Sequence, residues 1–310
     1  MNLGIDIGGT TSKLGLVRDG RVIARDRIPT REFPNARAFA DALATCAEEL
    51  QANAGAGDLL GIGIGAPNGN QLTGMIERAP NLDWKGDVPL ARMMGERLGL
   101  PCVLGNDANA AALGEWKSGA GRGLTDLLVV TLGTGLGSGI ISGGSLLLGP
   151  FGNAGELGHT TIVIDGRDCT CGRKGCLEAY VSIRGMRRTY KELGGEEQVL
   201  AGEGVLPIAD AARSGDDAAL QTFRSTARWL SVGLANAVAL ATPQRIVLCG
   251  GLARNGELLL DPLKARFEKD LLYIHHGRVD LVLSGLDPDD AGILGAAALI
   301  GDAPTFRSTP

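Results

Sequence analysis

The sequence predicts an α/β protein of two domains, and three observations lead to that prediction. Apolar segments of strand length alternate with longer segments of helical periodicity, which is typical of mixed α/β domains. A unit of strand, glycine-rich turn and strand occurs twice, at residues 3–17 and at 126–149. A chain of 310 residues, 44% of them hydrophobic, is also long enough to form two cores.

The first half begins with a predicted antiparallel meander. "LGIDI" and "KLGLV" flank the turn "GGTTS", and "RDG" leads to a third strand, "RVIARDRI". Helical periodicity at 36–52 and 88–99 alternates with the strands "LLGIGIGAP" and "PCVLG", and the alanine-rich "ANAAALGEWKSG" predicts a further helix. The expected order is βββαβαβα. The second half then opens with "DLLVVTLGTGLGSGIISGGSLLLG", which repeats the first unit.

Composition restricts the class of partner. A formal net charge of −5 argues against an extended nucleic-acid surface, so we expect a small-molecule partner. The 48 glycines follow apolar runs in loops, which indicates close approach of backbone to a ligand. The N-terminus shows no signal-peptide pattern, and no apolar run approaches the roughly 18 residues of a membrane span. We therefore expect a cytoplasmic protein without a membrane partner.

The stretch "CTCGRKGCLEAY", residues 169–180, holds three of the six cysteines. In a reducing cytosol such a cluster indicates a metal site or a reactive centre more than a disulfide framework. Residues two apart on a strand also stand about 6.5 Å apart, which does not suit a disulfide. The alternative is a turn with incidental thiols, built on Gly172 and Gly175. The other cysteines lie singly in apolar surroundings and are expected in cores: Cys46, Cys102 and Cys249.

The two glycine turns are more informative together than apart. Each alone is a weak signal, but a pair that opens two mixed α/β halves indicates opposed loops whose N–H groups and Thr hydroxyls can bind a polyphosphate. The chain has neither a P-loop nor a dinucleotide-binding "GxGxxG" that opens a helix. The predicted phosphate clamp is therefore of another kind.

Six motifs together resemble the ROK family (repressors, open reading frames and sugar kinases), within the sugar kinase, Hsp70 and actin superfamily. They cover nearly the whole chain in the family's order, and the branch they resemble most is that of the bacterial ATP-dependent glucokinases. The motifs are "LGIDIGGTTSKLGLV", "NDANAAALGE", "VVTLGTGLGSGI", "NAGELGH", "CTCGRKGCLE" and "LCGGLA".

The resemblance implies an actin-like, ribonuclease H-like fold of two domains with a cleft between them. The small domain is expected at residues 1–115, closed by a C-terminal helix at about 289–302, and the large domain at 116–288. The implied activity is ATP-dependent phosphorylation of a hexose at its 6-hydroxyl, most simply glucose to glucose 6-phosphate. The implied cofactors are Mg²⁺ and a structural Zn²⁺ besides ATP, and the implied assembly is a homodimer.

Other functions stay open at this point. N-acetylmannosamine, N-acetylglucosamine, fructose and allose kinases share these motifs, and the groups around the sugar 2-position cannot be placed from sequence. A sugar-responsive transcriptional regulator is a second class within the family. Such members carry an N-terminal helix-turn-helix domain, and we expect none here because the first phosphate loop begins at residue 4. A sugar-binding pseudo-kinase is disfavoured by Asp6 and Asp107.

Asp107 is the expected catalytic residue. It follows the strand "PCVLG" at a strand-to-helix junction, where an N-cap is the alternative interpretation. The resemblance makes it the carboxylate that accepts the proton of the sugar 6-hydroxyl, next to Asn106 on the sugar ring. The expected sugar-binding set is completed, with weaker rim contacts last, by Asn81, Glu156, His159, Glu178, Gly65 and Asn68.

The metal and nucleotide residues follow from the same motifs. A Cys₃His set suits tetrahedral zinc with no open position, so the implied metal is structural; its ligands are His159, Cys169, Cys171 and Cys176. His159 is also implied in sugar binding, through its other ring nitrogen. Asp6 would orient water on Mg²⁺. The nucleotide-binding residues are expected in three glycine turns: Asp6 with Gly8, Gly9 and Thr10; Gly133, Thr134 and Gly135; and Gly250 with Gly251. Lys13, His275 and His276 are expected to be surface residues.

Overall fold

The computed structural model describes residues 1–55, 57–78, 84 and 86–302. The chain forms two compact units. Unit 1 contains Met1–Leu124, Gly139–Ala154 and the described residues from Gly285 onward, and unit 2 contains Thr125–Ser138 and Gly155–Ser284. Unit 1 therefore includes both segments expected in the small domain, together with residues 116–124, 139–154 and 285–288. The division into functional domains stays a prediction.

The described residues form twelve strands and ten α-helices. The strands are β1 (Asn2–Ile7), β2 (Thr11–Arg18), β3 (Arg21–Pro29), β4 (Gly61–Ala66), β5 (Gly69–Asn70), β6 (Met75–Ile76), β7 (Cys102–Asn106), β8 (Leu127–Leu132), β9 (Leu136–Ser142), β10 (Ser145–Leu146), β11 (Arg245–Cys249) and β12 (Asp280–Leu283). The helices are α1 (Ala36–Asn53), α2 (Leu90–Leu98), α3 (Asp107–Ser118), α4 (Glu178–Val181), α5 (Ile183–Glu192), α6 (Glu197–Ala201), α7 (Leu206–Arg213), α8 (Asp217–Ala241), α9 (Glu257–Asp270) and α10 (Ala291–Ala298).

The sheet of unit 1 has the order β3-β2-β1-β4-β7. The meander β1-β2-β3 is antiparallel, and β4 and β7 continue the sheet parallel to β1. The predicted order βββαβαβα is confirmed, with one addition: the short hairpin β5-β6 between β4 and α2 was not predicted from sequence. Because β4 and the centre of β1 are buried, their residues there are apolar or glycine, whereas Asn2 and Asp6 of β1 are only partly buried.

Helix α10 lies directly on this sheet, as expected for a C-terminal helix that returns to the first domain. The contact depends on glycine. A Cβ atom at Gly4 would overlap the carbonyl oxygen of Ile293, and one at Gly63 would overlap that of Ala296. The missing side chains let the backbone of α10 approach β1 and β4 closely, so these glycines are required by packing.

In unit 2, β8, β11 and β12 run parallel, and the first residues of β9 follow β8 through a glycine turn. The long helix α8 is capped by Asp216, whose side chain accepts the N–H of Ala219, and it buries an apolar face that includes Phe223 and Leu234. No helix in the described part of the chain has the length and apolar character needed to cross a membrane.

Candidate active-site residues and a metal-ligand cluster

The carboxyl ends of β1, β4 and β7 bring together the candidate catalytic residues of unit 1. Asp6 is paired in register with Gly65, and Gly65 with Gly105. Asp107 begins α3 two residues beyond Gly105. Since these strands are parallel, their ends meet at one edge of the sheet, which is where α/β proteins place ligands. Gly65 leaves room there, because a Cβ on it would stand 3.2 Å from Cβ of Ala110.

Asn106, and not Asp107, is the N-cap residue of α3. Its side chain accepts the N–H of Ala108 at 2.8 Å. The Asp107 carboxylate accepts the same N–H at 2.9 Å from the first helical turn. Asp107 is an exposed residue by its accessible surface. Protein atoms nevertheless surround its carboxyl group densely enough to remove part of its hydration. The sequence prediction that Asp107 serves a chemical role thus does not compete with the capping role.

The two carboxyl groups share an environment that favours protonation. Burial and, to a smaller extent, the negative charge of Asp107 raise the pKa of Asp6 to about 6, and Lys13 opposes the shift. Burial also raises the pKa of Asp107, while hydrogen bonding from the Ala108 N–H acts in the other direction. Carboxyl groups with raised pKa values at the carboxyl ends of parallel strands are typical of functional sites.

The first glycine turn is fastened by the end of β3. Gly8 N–H donates to Thr11 O at 3.2 Å, and Thr30 both donates its N–H to Thr10 O at 2.8 Å and its hydroxyl to Gly8 O at 2.8 Å. Arg31 Nε donates to Gly9 O at 2.7 Å. The carbonyl groups of the predicted phosphate loop therefore have protein partners. Thr30 and Arg31 were not predicted as site residues, because nothing local in the sequence marks them as neighbours of a turn about twenty residues earlier.

The weaker rim positions differ in what the structure shows. Asn68 has a left-handed backbone, with φ of 52°, and its side-chain amide donates to Glu77 O at 3.0 Å. This amide closes the loop that contains β5 and β6. Asn81 lies outside the described residues. Lys13, expected as an exposed strand charge, pairs with Asp289 at 3.5 Å.

In unit 2 the two predicted nucleotide turns follow neighbouring parallel strands. Gly133–Gly135 comes after β8, and Gly250–Gly251 comes after β11. Gly250 has φ of 92°, and a Cβ on it would stand 2.5 Å from Leu132 O. Leu252 N–H donates to the same carbonyl at 3.0 Å. The turn at Gly250–Gly251 therefore packs on Leu132, the residue that precedes Gly133. Thr134, in the middle of the turn Gly133–Gly135, is exposed.

Four predicted metal ligands form a cluster. One donor atom from each of His159, Cys169, Cys171 and Cys176 lies within 4.8 Å of all the others. Nδ1 of His159 is 3.6 Å from Sγ of Cys169, and Sγ of Cys171 is 3.6 Å from Sγ of Cys176. Zinc–ligand bonds of about 2.0–2.3 Å in a tetrahedron separate ligand atoms by roughly 3.5–3.8 Å. The donor set and its spacing therefore fit zinc, and the cysteines are free thiols.

Turns and one arginine hold the segment that carries these ligands. Cys169 N–H donates to Arg173 O at 2.9 Å, and Gly175, with φ of 73°, lies against Val163 O. Arg167 bridges the segment to α4 and α5 by donating to the carbonyl groups of Ala179 and Gly185 and to Thr189 Oγ1. The N–H of Arg173 and the neighbouring thiols outweigh burial and lower the pKa of Cys171 to about 7.

Glu178 lies next to this cluster and is 9% exposed. Its Oε2 accepts the N–H of Leu136 at 3.0 Å, directly after the glycine turn. Its Oε1 accepts from Thr170 Oγ1 at 3.3 Å and lies 3.8 Å from a guanidinium nitrogen of Arg184. A cavity of about 130 Å³ opens beside it, lined also by Cys169 and Ser182.

His159 and Glu156 lie on a neighbouring segment, which packs on the first residues of β9, the strand that also contacts Glu178. His159 ends the 3-10 helix Leu157–His159, which Glu156 directly precedes. A Cβ atom on Gly158 would overlap Leu136 O, and Ser138 Oγ donates to Gly155 O. The structure thus brings the cysteine ligands, Glu178 and the Glu156–His159 segment together around the first residues of β9. Leu136, Ser138, Thr170 and Arg167 were not found from sequence.

Comparison with known proteins gives the class. The model of the ROK family matches residues 2–303. The chain is 37% identical to a glucokinase from Streptomyces coelicolor, over 96% of this chain and 97% of that protein. It is 35% identical to an N-acetylmannosamine kinase from Escherichia coli, over 96% and 97% of the two chains. This chain belongs to the ROK family.

Among solved structures, the chain is similar to that of a ROK family glucokinase from Streptomyces griseus in complex with glucose and AMPPNP. The TM-score is 0.82 and the identity 37%, over 96% of this chain and 98% of that one. The predicted fold class is confirmed: the chain has the actin-like two-domain fold of the ROK sugar kinases.

Proposed function

We propose that this protein is an ATP-dependent hexose kinase that phosphorylates glucose at its 6-hydroxyl. One observation carries the proposal most directly: the similarity to glucokinases spans 96% of the chain, at 37% identity. The position of Asp6 and Asp107 at the carboxyl ends of the parallel strands supports the proposal. Phosphoryl transfer needs a carboxylate that orients the acceptor hydroxyl and charged groups that position the donor.

In the proposed reaction the sugar 6-oxygen forms a bond to the γ-phosphorus while the bond from that phosphorus to the β,γ-bridging oxygen breaks. ADP leaves with the electron pair, and Asp107 accepts the proton of the 6-hydroxyl. Mg²⁺ would neutralise the phosphate charge, and Asp6 would hold water on it. The raised pKa of Asp107 supports a basic role, because a carboxylate that attracts protons is a better acceptor than one of ordinary pKa.

We assign nucleotide binding to the three glycine turns and sugar binding to Asn106, Glu156, His159 and Glu178. Asn81, Gly65 and Asn68 remain candidates for contacts at the rim of the sugar site. Asn68 is a weaker candidate than Gly65, because its amide already donates to Glu77 O. The Glu178 carboxylate supports a sugar role, because one oxygen is fixed by a backbone N–H while the other lies beside a cavity. Sugar hydroxyls require such fixed acceptors.

We further propose a structural zinc held by His159, Cys169, Cys171 and Cys176. The distances of 3.6 Å between pairs of donor atoms support it, as does the closed Cys₃His set, which leaves no position for chemistry. Zinc-bound thiolates suit the reducing cytoplasm, where we expect the protein to act as a homodimer. Zinc per chain from metal analysis and the mass from size exclusion with light scattering test these two points.

A second sugar is the main alternative, because the N-acetylmannosamine kinase relative is 35% identical over 96% of the chain. Initial rates with MgATP across glucose, mannose, fructose, allose, N-acetylglucosamine and N-acetylmannosamine decide between them. We expect glucose to have the highest kcat/KM, and magnesium chelation to abolish turnover. A tenfold preference for another sugar, about 1.4 kcal/mol of transition-state free energy, would reject glucose and keep the family.

A further inference from the structure

The glycine turn Gly133–Gly135 of unit 2 is tied to the segment that carries Glu178 by two hydrogen bonds. Leu136 N–H donates to Glu178 Oε2 at 3.0 Å, on the C-terminal side of the turn. Ile183 N–H donates to Gly133 O at 2.9 Å, on its N-terminal side. A third bond, from Gly133 N–H to Gly135 O at 3.0 Å, is internal to the turn. These two attachments of the turn therefore both lead to residues 178–183.

We propose that these two bonds couple sugar binding to nucleotide binding. The proposal rests on the proposed function, in which Glu178 contacts sugar and Gly133–Gly135 contacts nucleotide phosphates. A bound sugar hydroxyl that donates to Glu178 fixes the orientation of the carboxylate. Oε2 of Glu178 then holds the N–H of Leu136 more firmly. The turn loses freedom before the nucleotide arrives, so the nucleotide has less ordering to cause and binds more tightly.

The local packing supports coupling over independent binding. A Cβ on Gly135 would stand 2.6 Å from Glu178 Oε2, so the turn and the carboxylate are in direct contact. Thr134 is exposed and glycines flank it, which leaves the turn little side-chain packing of its own. The Glu178–Ile183 segment, by contrast, is anchored by α5, where Ser182 Oγ caps the helix by accepting the N–H of Gly185. The turn is thus the adjustable partner of the pair.

Ile183 offers a test that leaves both binding surfaces in place. Ile183 is the first residue of α5, a position where proline is favoured because its N–H has no helical partner. Ser182 has φ −75° and ψ 168°, which suits a residue before proline. Ile183→Pro therefore removes the N–H that binds Gly133 O while the helix can still start. Ile183→Ala is the matched control, because it loses more of the side chain and keeps the N–H.

The measurement is the dissociation constant of AMPPNP with Mg²⁺ by calorimetry, without glucose and with saturating glucose. We expect glucose to tighten AMPPNP binding about tenfold in the wild type and in Ile183→Ala, within the usual range of coupling between sites. In Ile183→Pro the ratio should fall below about threefold. The reverse titration, glucose with and without AMPPNP, must give the same ratio, since linkage is reciprocal.

A ratio of one in the wild type, or equal ratios in the proline and alanine variants, overturns the proposal. If Ile183→Pro does not fold, the pair Glu178→Gln and Glu178→Asp decides. Glutamine keeps an acceptor at the same reach from Leu136 N–H, whereas aspartate draws it back by about 1.5 Å. Both should bind glucose more weakly, but only aspartate should lose coupling; equal ratios in these two overturn the proposal. Turnover of glucose by the wild type is a separate readout, so failure of the proposed function is distinguishable.

Discussion

In unit 1 the candidate carboxylates stand at the ends of buried parallel strands, whereas in unit 2 three of the four candidate metal ligands, the cysteines, stand on a glycine-bearing loop. Asp6 and Asp107 are positioned by sheet register and by the start of α3. Residues 170–174 of the loop are exposed and contribute little to any apolar core. The first arrangement is fixed by the hydrophobic core, and the second needs another source of order.

The energetic consequence follows from the cost of ordering a chain. Fixing each residue of a loop costs about 1–2 kcal/mol of conformational entropy. Burial offsets this cost for β1 and β4, but not for an exposed loop. A structural zinc contributes on the order of 10 kcal/mol in isolated finger peptides. The comparison therefore predicts that substitutions of Asp6 or Asp107 lower the catalytic rate with little effect on folding. Substitutions in the cysteine loop should instead disorder that loop and thereby weaken sugar binding.

The largest effect is expected for Asp107→Asn. Asparagine keeps the shape and can still accept the Ala108 N–H, so the fold should be retained. Loss of the proton acceptor should lower kcat for glucose by about 10²- to 10⁴-fold. A loose transition state would place the loss at the low end, because little proton transfer precedes cleavage of the phosphoryl bond. Glucose affinity should change only modestly.

Steady-state kinetics and circular dichroism check this prediction, with Asp289→Asn as the control. Asp289 is an exposed acid of the same unit that pairs with Lys13, and its loss should leave kcat within about twofold. An Asp107→Asn enzyme that keeps more than a third of the wild-type kcat would remove Asp107 from the chemistry and reduce the contrast between the two units.

The next effect is expected for Cys171→Ser, which should remove zinc. Because Glu178 and His159 adjoin the metal segment, their hydrogen bonds to sugar should be weakened. At about 1.5–3 kcal/mol for each bond to a charged group, the glucose KM should rise at least about tenfold. AMPPNP binding without sugar should be largely retained, since Gly8, Gly133 and Gly250 lie on other segments.

Metal analysis and glucose titration measure this outcome, and Cys102→Ala controls for loss of a thiol outside the cluster. Wild-type protein should contain one zinc per chain. If a zinc-free preparation bound glucose as the native protein does, or if the Cys171→Ser variant had an unchanged glucose KM, the loop would be ordered without metal.

The same contrast explains what the sequence could predict. Strand ends and glycine turns are local patterns, so the order βββαβαβα and the position of Asp107 at a strand-to-helix junction could be predicted along the chain, whereas the roles of Asp6 and Asp107 were implied by the family resemblance. The cysteine spacing together with the family resemblance indicated the four ligands, and the structure brings them within 4.8 Å. Contacts between distant segments leave no local signal. Thr30 on the first glycine turn and Leu136 on Glu178 therefore required the structure, as did the role of Asn106 as the cap of α3.

A smaller effect, on stability alone, is expected for Gly63→Ala. The new methyl group would overlap Ala296 O and force α10 away from β4. Overpacking of this kind costs about 1–3 kcal/mol. Thermal unfolding should show the loss, with Gly57→Ala as the control because a Cβ there meets nothing within 4 Å. An unchanged melting temperature would mean that α10 does not pack tightly on β4.

The smallest effect concerns the pH dependence of activity and the charge of Lys13. Burial and Asp107 raise the pKa of Asp6 to about 6, and Lys13 opposes this shift. Because the proposed roles of Asp6 and Asp107 need ionised carboxylates, kcat/KM should fall as pH decreases through about 6. The sign for stability is opposite: a raised pKa in the folded state contributes stability that is present below the ordinary value near 3.8 and lost as pH rises through about 6.

Lys13→Met isolates the electrostatic part of that shift. Loss of the positive charge should raise the pKa of Asp6 further, so the acid limb of kcat/KM should move to higher pH while kcat at pH 8 changes little. The exposed Lys191→Met in unit 2 serves as the control and should leave the limb in place, since the charge of Lys191 does not contribute to the pKa of Asp6. Profiles measured between pH 5 and 8.5 for the three proteins decide the matter. Coincident limbs for wild type and Lys13→Met would show that Lys13 does not lower the pKa of Asp6, and that burial and the charge of Asp107 determine it.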